Sequence, residues 1–94
     1  DAADGMLAML DWERPEPLNI GTGVEVSIAD LARAVARAAG YAGPIILDRT
    51  KPDGQPRKCL DVTRASRELG WTAKTDLETG LAKTVAWYRR AMHP

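Results

Sequence analysis

The stretch Arg49-Thr-Lys-Pro-Asp-Gly-Gln-Pro-Arg-Lys58 gathers the side chains of this 94-residue chain best suited to holding an anion. Pro52-Asp53-Gly54 is a turn signature, with proline at the second turn position. It places Asp53 between Lys51 on one side and Arg57 and Lys58 on the other. Two prolines, Pro52 and Pro56, stiffen the loop. A positioned carboxylate beside several cations suits a nucleoside diphosphate. The cations face the pyrophosphate, and the carboxylate accepts hydrogen bonds from a ribose, a sugar or a guanine edge. On the residues alone, the loop reads equally well as a solvated, charged turn.

Other candidates carry less. Gly21-Thr-Gly23 follows a short apolar run and precedes a helical pattern. A dinucleotide fingerprint needs a third small residue three positions after the second glycine, and Val26 stands there. No Gly-Lys-Ser/Thr sequence forms a P-loop. The glycines therefore read as a turn that needs backbone freedom. A Tyr-Lys pair four residues apart, the acid and ribose-holding pair of short-chain dehydrogenases, is absent: Tyr41 is followed at that distance by Ile45, and Tyr88 by Met92. His93 has no partner nearby in sequence and reads as part of a solvated terminus. Cys59 has Arg57 and Lys58 beside it, which favours a thiolate, but no histidine is near, and a half-buried structural thiol is expected. Trp71 and Trp87 read as packing residues. The chain holds no catalytic set and no metal-ligand spacing.

Composition bounds the classes. Hydrophobic residues make up 45% and charged residues 28%, an ordinary globular balance. Thirteen cations offset thirteen anions, so no global pull toward nucleic acid or an anionic membrane is expected. The basic loop contains no aromatic residue on which a base could stack. A single cysteine permits no internal disulfide, and no apolar run approaches the ~18–20 residues of a membrane span. No signal peptide is legible, so a cytoplasmic setting is expected. The opening Asp1-Ala-Ala-Asp4 reads as the start of a segment cut from a longer chain. Charge is uneven: residues 1–16 sum to −4 and residues 49–58 to +3.

The elements that must hold the loop follow from periodicity. Ala3, Met6, Leu7 and Leu10 share one helical face, ended by Pro15 and Pro17. Ser27-Ile-Ala-Asp30 resembles a capping box with Asp for Glu. Ile28, Leu31, Val35 and Ala38 then recur on one face up to Gly40, a helix-ending residue. Thr63 is expected to cap a short helix ending at Gly70. Asp76 is expected to cap a last helix with Leu77, Leu81, Val85, Tyr88 and Met92 on its apolar face. Residues 18–20, 45–47 and 60–62 read as short strands. The result is a small α/β unit with too few strands for a confident independent sheet.

Several of these pieces resemble a known family. Leu18-Asn-Ile-Gly-Thr-Gly23, Ser27-Ile-Ala-Asp-Leu-Ala32, Leu69-Gly-Trp71, Leu77-Glu-Thr-Gly-Leu81 and Thr84-Val-Ala-Trp-Tyr88 look like the C-terminal lobe of extended short-chain dehydrogenases acting on nucleotide sugars. These motifs are shared across many epimerases, dehydratases and reductases. Thr50-Lys-Pro-Asp-Gly-Gln-Pro-Arg-Lys58, continuing Cys-Leu-Asp-Val-Thr-Arg64, is narrower and resembles the corresponding loop of the GDP-L-fucose synthase family. Gln55 and Cys59 depart from it, at positions more often Thr and Leu.

The resemblance, which covers essentially the whole chain, implies a substrate-binding lobe whose N-terminal Rossmann domain, binding NADP(H), is absent here. It implies that Asp53 contacts a GDP-sugar and that Lys58 and Arg57 line the same region as phosphate contacts. It further implies a two-stage reaction, epimerisation at C3 and C5 and then hydride transfer from NADPH to C4. The acid-base and hydride-transfer residues belong to the missing lobe, so the isolated fragment is expected to be inert. A homodimer is implied for the full-length enzyme. The alternatives are the substrate lobe of another nucleotide-sugar epimerase or dehydratase, or a stand-alone binding module.

Overall fold

Three helices carry the regular structure of the chain in a computed structural model that describes residues 1–92. α1 spans Ala2–Ala8 and tightens into a 3-10 turn over Met9–Asp11; α2 spans Ile28–Ala39; α3 spans Leu77–Met92. A π-type turn covers Ala65–Leu69. The chain divides into two units. One comprises Asp1–Glu25 with Arg57–Asp76, and the other comprises Val26–Pro56 with the described residues from Leu77 onward.

The first unit is mostly irregular chain fastened by specific bonds. Asp1 precedes α1 but does not cap it with its side chain. Its carboxylate instead accepts the backbone N–H groups of Lys74 at 2.9 Å and Thr75 at 2.7 Å. Gly5, on the buried side of α1, allows close approach: a Cβ there would stand 3.0 Å from Ile20 Cγ2 and 3.2 Å from the Trp71 ring. Trp71 is thus a packing residue, as expected. Of the residues at helical spacing, Ala3, Met6 and Leu7 lie in α1 and Leu10 in the 3-10 turn, and all four are exposed. Thr63 does not cap the π-type turn, which has no side-chain cap; Asp61 Oδ1 accepts the Thr63 N–H at 2.9 Å just ahead of it. Gly70 ends that turn at φ 67°, and the Trp71 N–H reaches back to the Ala65 carbonyl at 3.1 Å. Ala65 is fully buried.

The second unit is built on the pairing of α2 with α3. Ser27 caps α2 as its sequence implies, its Oγ accepting the Asp30 N–H at 3.0 Å. The reciprocal half of the box differs. The short Asp30 side chain accepts from the Ser27 hydroxyl at 2.8 Å, where a longer Glu reaches the cap's backbone N–H. At the other end, Gly40 sits at φ 68°. The Gly40 N–H bonds the Arg37 carbonyl and the Tyr41 N–H the Ala36 carbonyl, a Schellman ending. Arg89, near the C-terminus of α3, donates to the Ala39 carbonyl at 2.7 Å, and Arg37 pairs with Glu78 at 3.2 Å. Ala34 is the buried residue of α2, while Leu81 and Val85 of α3 are half-buried. Trp87 is exposed, contrary to a packing role.

Residues 18–20, 45–47 and 60–62 form no strand, and no strand occurs among the described residues. The α/β expectation is corrected to a helical set of elements. A strand exists through a ladder of backbone bonds to a neighbour. Here the link between the first and third of these runs is a side chain: Asn19 Nδ2 donates to the Asp61 carbonyl at 3.2 Å. The middle run has no cover, with Ile46 84% exposed.

Candidate functional site

The basic loop is divided between the two units, and each part is held differently. In the second unit, the turn forms earlier than Pro52-Asp53-Gly54 would place it. Asp48 makes it, with Oδ1 accepting the Thr50 N–H at 3.0 Å and the Thr50 hydroxyl at 2.6 Å. These two bonds hold the Asp48 carboxyl below its usual range. The local bonds outweigh the proline signature because an Asx turn satisfies backbone and hydroxyl at once. Asp53 lies beyond that turn and is exposed, with no hydrogen bond or ion pair among the described residues. Gly54 beside it keeps φ out of the left-handed region, and a Cβ there would meet nothing within 4 Å. Neither its own conformation nor its neighbours require a glycine.

In the first unit, Arg57 is already engaged. Its Nε–H is shared between the two Glu25 oxygens at 2.8 and 2.9 Å, which leaves the remaining donors of the guanidinium fork for another acceptor. Lys58 is exposed and forms no ion pair among the described residues. Cys59 is exposed too, rather than the half-buried thiol expected, and its S–H donates to the Gly23 carbonyl at 3.5 Å. Arg57, Cys59, Leu60 and Asp61 line an open cavity of about 370 Å³. His93 lies outside the described residues.

The glycine pair serves packing. Gly23 adopts φ 71°, and a Cβ there would come within 2.9 Å of Val62 Cγ2; at Gly21 it would meet Leu60 at 3.5 Å. The space that would cradle a pyrophosphate is filled by the side chains of the 60–62 run, so these residues do not fit a dinucleotide cofactor.

A second polar hollow in the first unit, about 420 Å³, lies among Pro17, Asn19, Asp61, Thr63, Arg64 and Arg67. Sequence reading missed it, because the hollow depends on Asn19 meeting Asp61 across 42 residues. Glu68 at its edge binds Arg14 at 2.5 Å and Arg64 at 3.5 Å. The Glu68 bond raises the Arg14 pKa, and the Arg14 guanidinium also lies 4.6 Å over the Trp12 ring. Hydrogen bonds from Thr63 hold the Asp61 carboxyl low, reinforced by the charges of Arg64 and Arg67. These groups largely satisfy one another. Among the described residues no helix is long and apolar enough to cross a membrane.

No protein-family model matches the chain, and no solved structure matches it significantly. Curated proteins do. The chain is 49% identical over 71 residues to the GDP-L-fucose synthase of Escherichia coli, covering 76% of this chain and 22% of that protein. It is 43% identical over 89 residues to the putative GDP-L-fucose synthase 2 of Arabidopsis thaliana, covering 94% and 27%. It is 38% identical over 74 residues to the GDP-L-colitose synthase of Yersinia pseudotuberculosis, covering 79% and 24%. The chain spans about a quarter of the length of these relatives. Over most of its residues, this chain is a homologue of one segment of the GDP-L-fucose synthases.

Proposed function

We propose that the chain is the C-terminal, GDP-sugar-binding lobe of an NADPH-dependent GDP-4-keto-6-deoxy-D-mannose 3,5-epimerase-4-reductase, the enzyme that makes GDP-L-fucose. One observation carries the reading: identity of 43–49% to GDP-L-fucose synthases across 76–94% of the chain. The colitose relative supports GDP as the nucleotide, since its name shares GDP while the sugar differs.

In this reading Asp53 accepts hydrogen bonds from the GDP-sugar, and Lys58 and Arg57 meet its phosphates. The exposed, unpaired Asp53 and Lys58 and the half-committed guanidinium of Arg57 are compatible with those roles. Gly54, for which neither φ nor packing calls, leaves room for a ligand to approach the backbone beside Asp53. The parent is an extended short-chain dehydrogenase of α/β architecture. NADP(H) and the catalytic side chains belong to its Rossmann domain outside this chain, the parent is a cytoplasmic homodimer, and the lobe alone is inert.

The test is Asp53→Ala in the full-length parent. GDP-sugar affinity is expected to fall roughly 10–150-fold, the equivalent of losing a charge-assisted bond of about 1.5–3 kcal/mol. NADPH affinity should stay unchanged. Unaltered GDP-sugar binding in that variant refutes the site, and a parent that prefers UDP- or dTDP-sugars over GDP-sugars refutes the substrate.

A further inference from the structure

Residues 19–25 and 57–61, both in the first unit, are laced together by side chains in opposite chain order. Asn19 Nδ2 donates to the Asp61 carbonyl at 3.2 Å, the Cys59 S–H to the Gly23 carbonyl at 3.5 Å, and the Arg57 Nε–H to both Glu25 oxygens at 2.8 and 2.9 Å. The lacing ends at Glu25 and Arg57, where the basic loop joins it. Only the Nε–H of Arg57 is engaged there. Its two terminal nitrogens keep the end-on fork that meets a phosphate with two parallel bonds. The Arg57 side chain is 76% exposed, and Glu25 is its ion-pair partner among the described residues. A long, exposed arginine without such a hold samples many rotamers.

We infer that Glu25 is a positioning residue for the sugar-nucleotide site: it fixes the guanidinium plane of Arg57, so that the free fork is set for a phosphate before the ligand arrives. The inference rests on reading Arg57 as a phosphate contact. An acid near a phosphate is electrostatically unfavourable, so what Glu25 supplies is order rather than attraction. Immobilising one rotamer-rich side chain on binding weakens affinity by about 2–13-fold. A guanidinium already held by Glu25 avoids that loss. The neighbouring cation has no such hold: Lys58 is exposed and forms no ion pair among the described residues. The difference follows the chemistry of the two groups. A planar fork must be aimed, whereas an ammonium is a point charge that meets a phosphate from many directions.

A double-mutant cycle in the full-length parent, with GDP-L-fucose binding read by calorimetry, tests this. Glu25→Ala is expected to weaken binding by about 2–13-fold, and Arg57→Ala by at least as much. The double variant should bind no more weakly than Arg57→Ala alone, because Glu25 acts through Arg57. Glu25→Gln keeps an acceptor oxygen for the Nε–H and should recover most of the affinity lost in Glu25→Ala. Unchanged or tighter binding in Glu25→Ala overturns the inference. Additive losses in the cycle do so too, since they mark a general effect on the lobe, as does a Glu25→Gln variant no better than Glu25→Ala. The two readings fail separately. No loss in Arg57→Ala refutes the phosphate role of Arg57 together with the inference built on it. A loss in Arg57→Ala with none in Glu25→Ala refutes the inference alone.

Discussion

The two units of this chain are stabilised by different means. The second is a helix pair whose ends carry local signals: Ser27 begins α2, Gly40 ends it, and Arg89 reaches the Ala39 carbonyl. The first has little regular structure. It is held by bonds between residues far apart in the chain: Asp1 to Lys74 and Thr75, Asn19 to Asp61, Glu25 to Arg57, Cys59 to Gly23. Local capping can be replaced piecemeal at modest cost. Long-range seating of irregular chain depends on particular atoms meeting, so its weak points are steric.

Paired substitutions sharpen that contrast. Gly23 and Gly40 share nearly the same left-handed φ, 71° and 68°. Gly23→Ala meets both an unfavourable φ and Val62 at 2.9 Å, and valine is stiff at χ1. A loss of about 2–4 kcal/mol is expected in urea unfolding. Gly40→Ala meets only the φ cost, since its nearest outside atom is an Arg89 nitrogen at 4.0 Å, and about 1–2 kcal/mol is expected. Equal losses at the two sites would abolish the distinction drawn between the units.

A cap effect comes next. Ser27→Ala removes the α2 cap and should cost about 1 kcal/mol. It should also change the acid limb of stability. The Ser27 hydroxyl, then Arg33, hold the Asp30 carboxyl below its ordinary value. Its ionised form therefore adds stability that is fully present above the unfolded carboxylate range and is lost as pH falls through the lower, folded pKa. In Ser27→Ala that acid-side loss should shrink; a stability–pH curve parallel to the parent's would contradict the assignment. The smallest effect is expected at Glu25→Ala. It breaks an exposed ion pair worth about 0.2–1 kcal/mol, a difference that should fade in high salt. A loss that persists at high salt would show that Glu25 acts through packing rather than charge.

Legibility from sequence followed how local each signal is, in both units. The Ser27 cap, the Gly40 and Gly70 endings and the spans of α2 and α3 were all readable, because each depends on residues within one or two turns. The turn in the basic loop was misplaced. Pro52-Asp53-Gly54 carries the statistical signature, yet Asp48 binds the Thr50 N–H and hydroxyl and makes the turn first. The cap assigned to Thr63 is not formed: the π-type turn has no side-chain cap, and Asp61 bonds the Thr63 N–H instead. The candidate site residues Asp53, Arg57 and Lys58 were legible as a charged loop, but the partner of Arg57 was not: Glu25 lies 32 positions away and nothing in the spacing points to it.

By itself, then, the sequence determined the spans of α2 and α3, the Ser27 cap and Gly40 ending of α2, the +3 loop around Asp53 and the kinship with GDP-L-fucose synthases, since these rest on local backbone preferences and on residue identities in order. Only the tertiary structure decided which face of each helix is covered. It turned Met6, Leu7 and Leu10 outward and Gly5 inward, and it left the apolar runs at 18–20, 45–47 and 60–62 unpaired. Periodicity marks an apolar face, but burial depends on what is present to cover it, and a strand depends on a neighbour to complete its ladder.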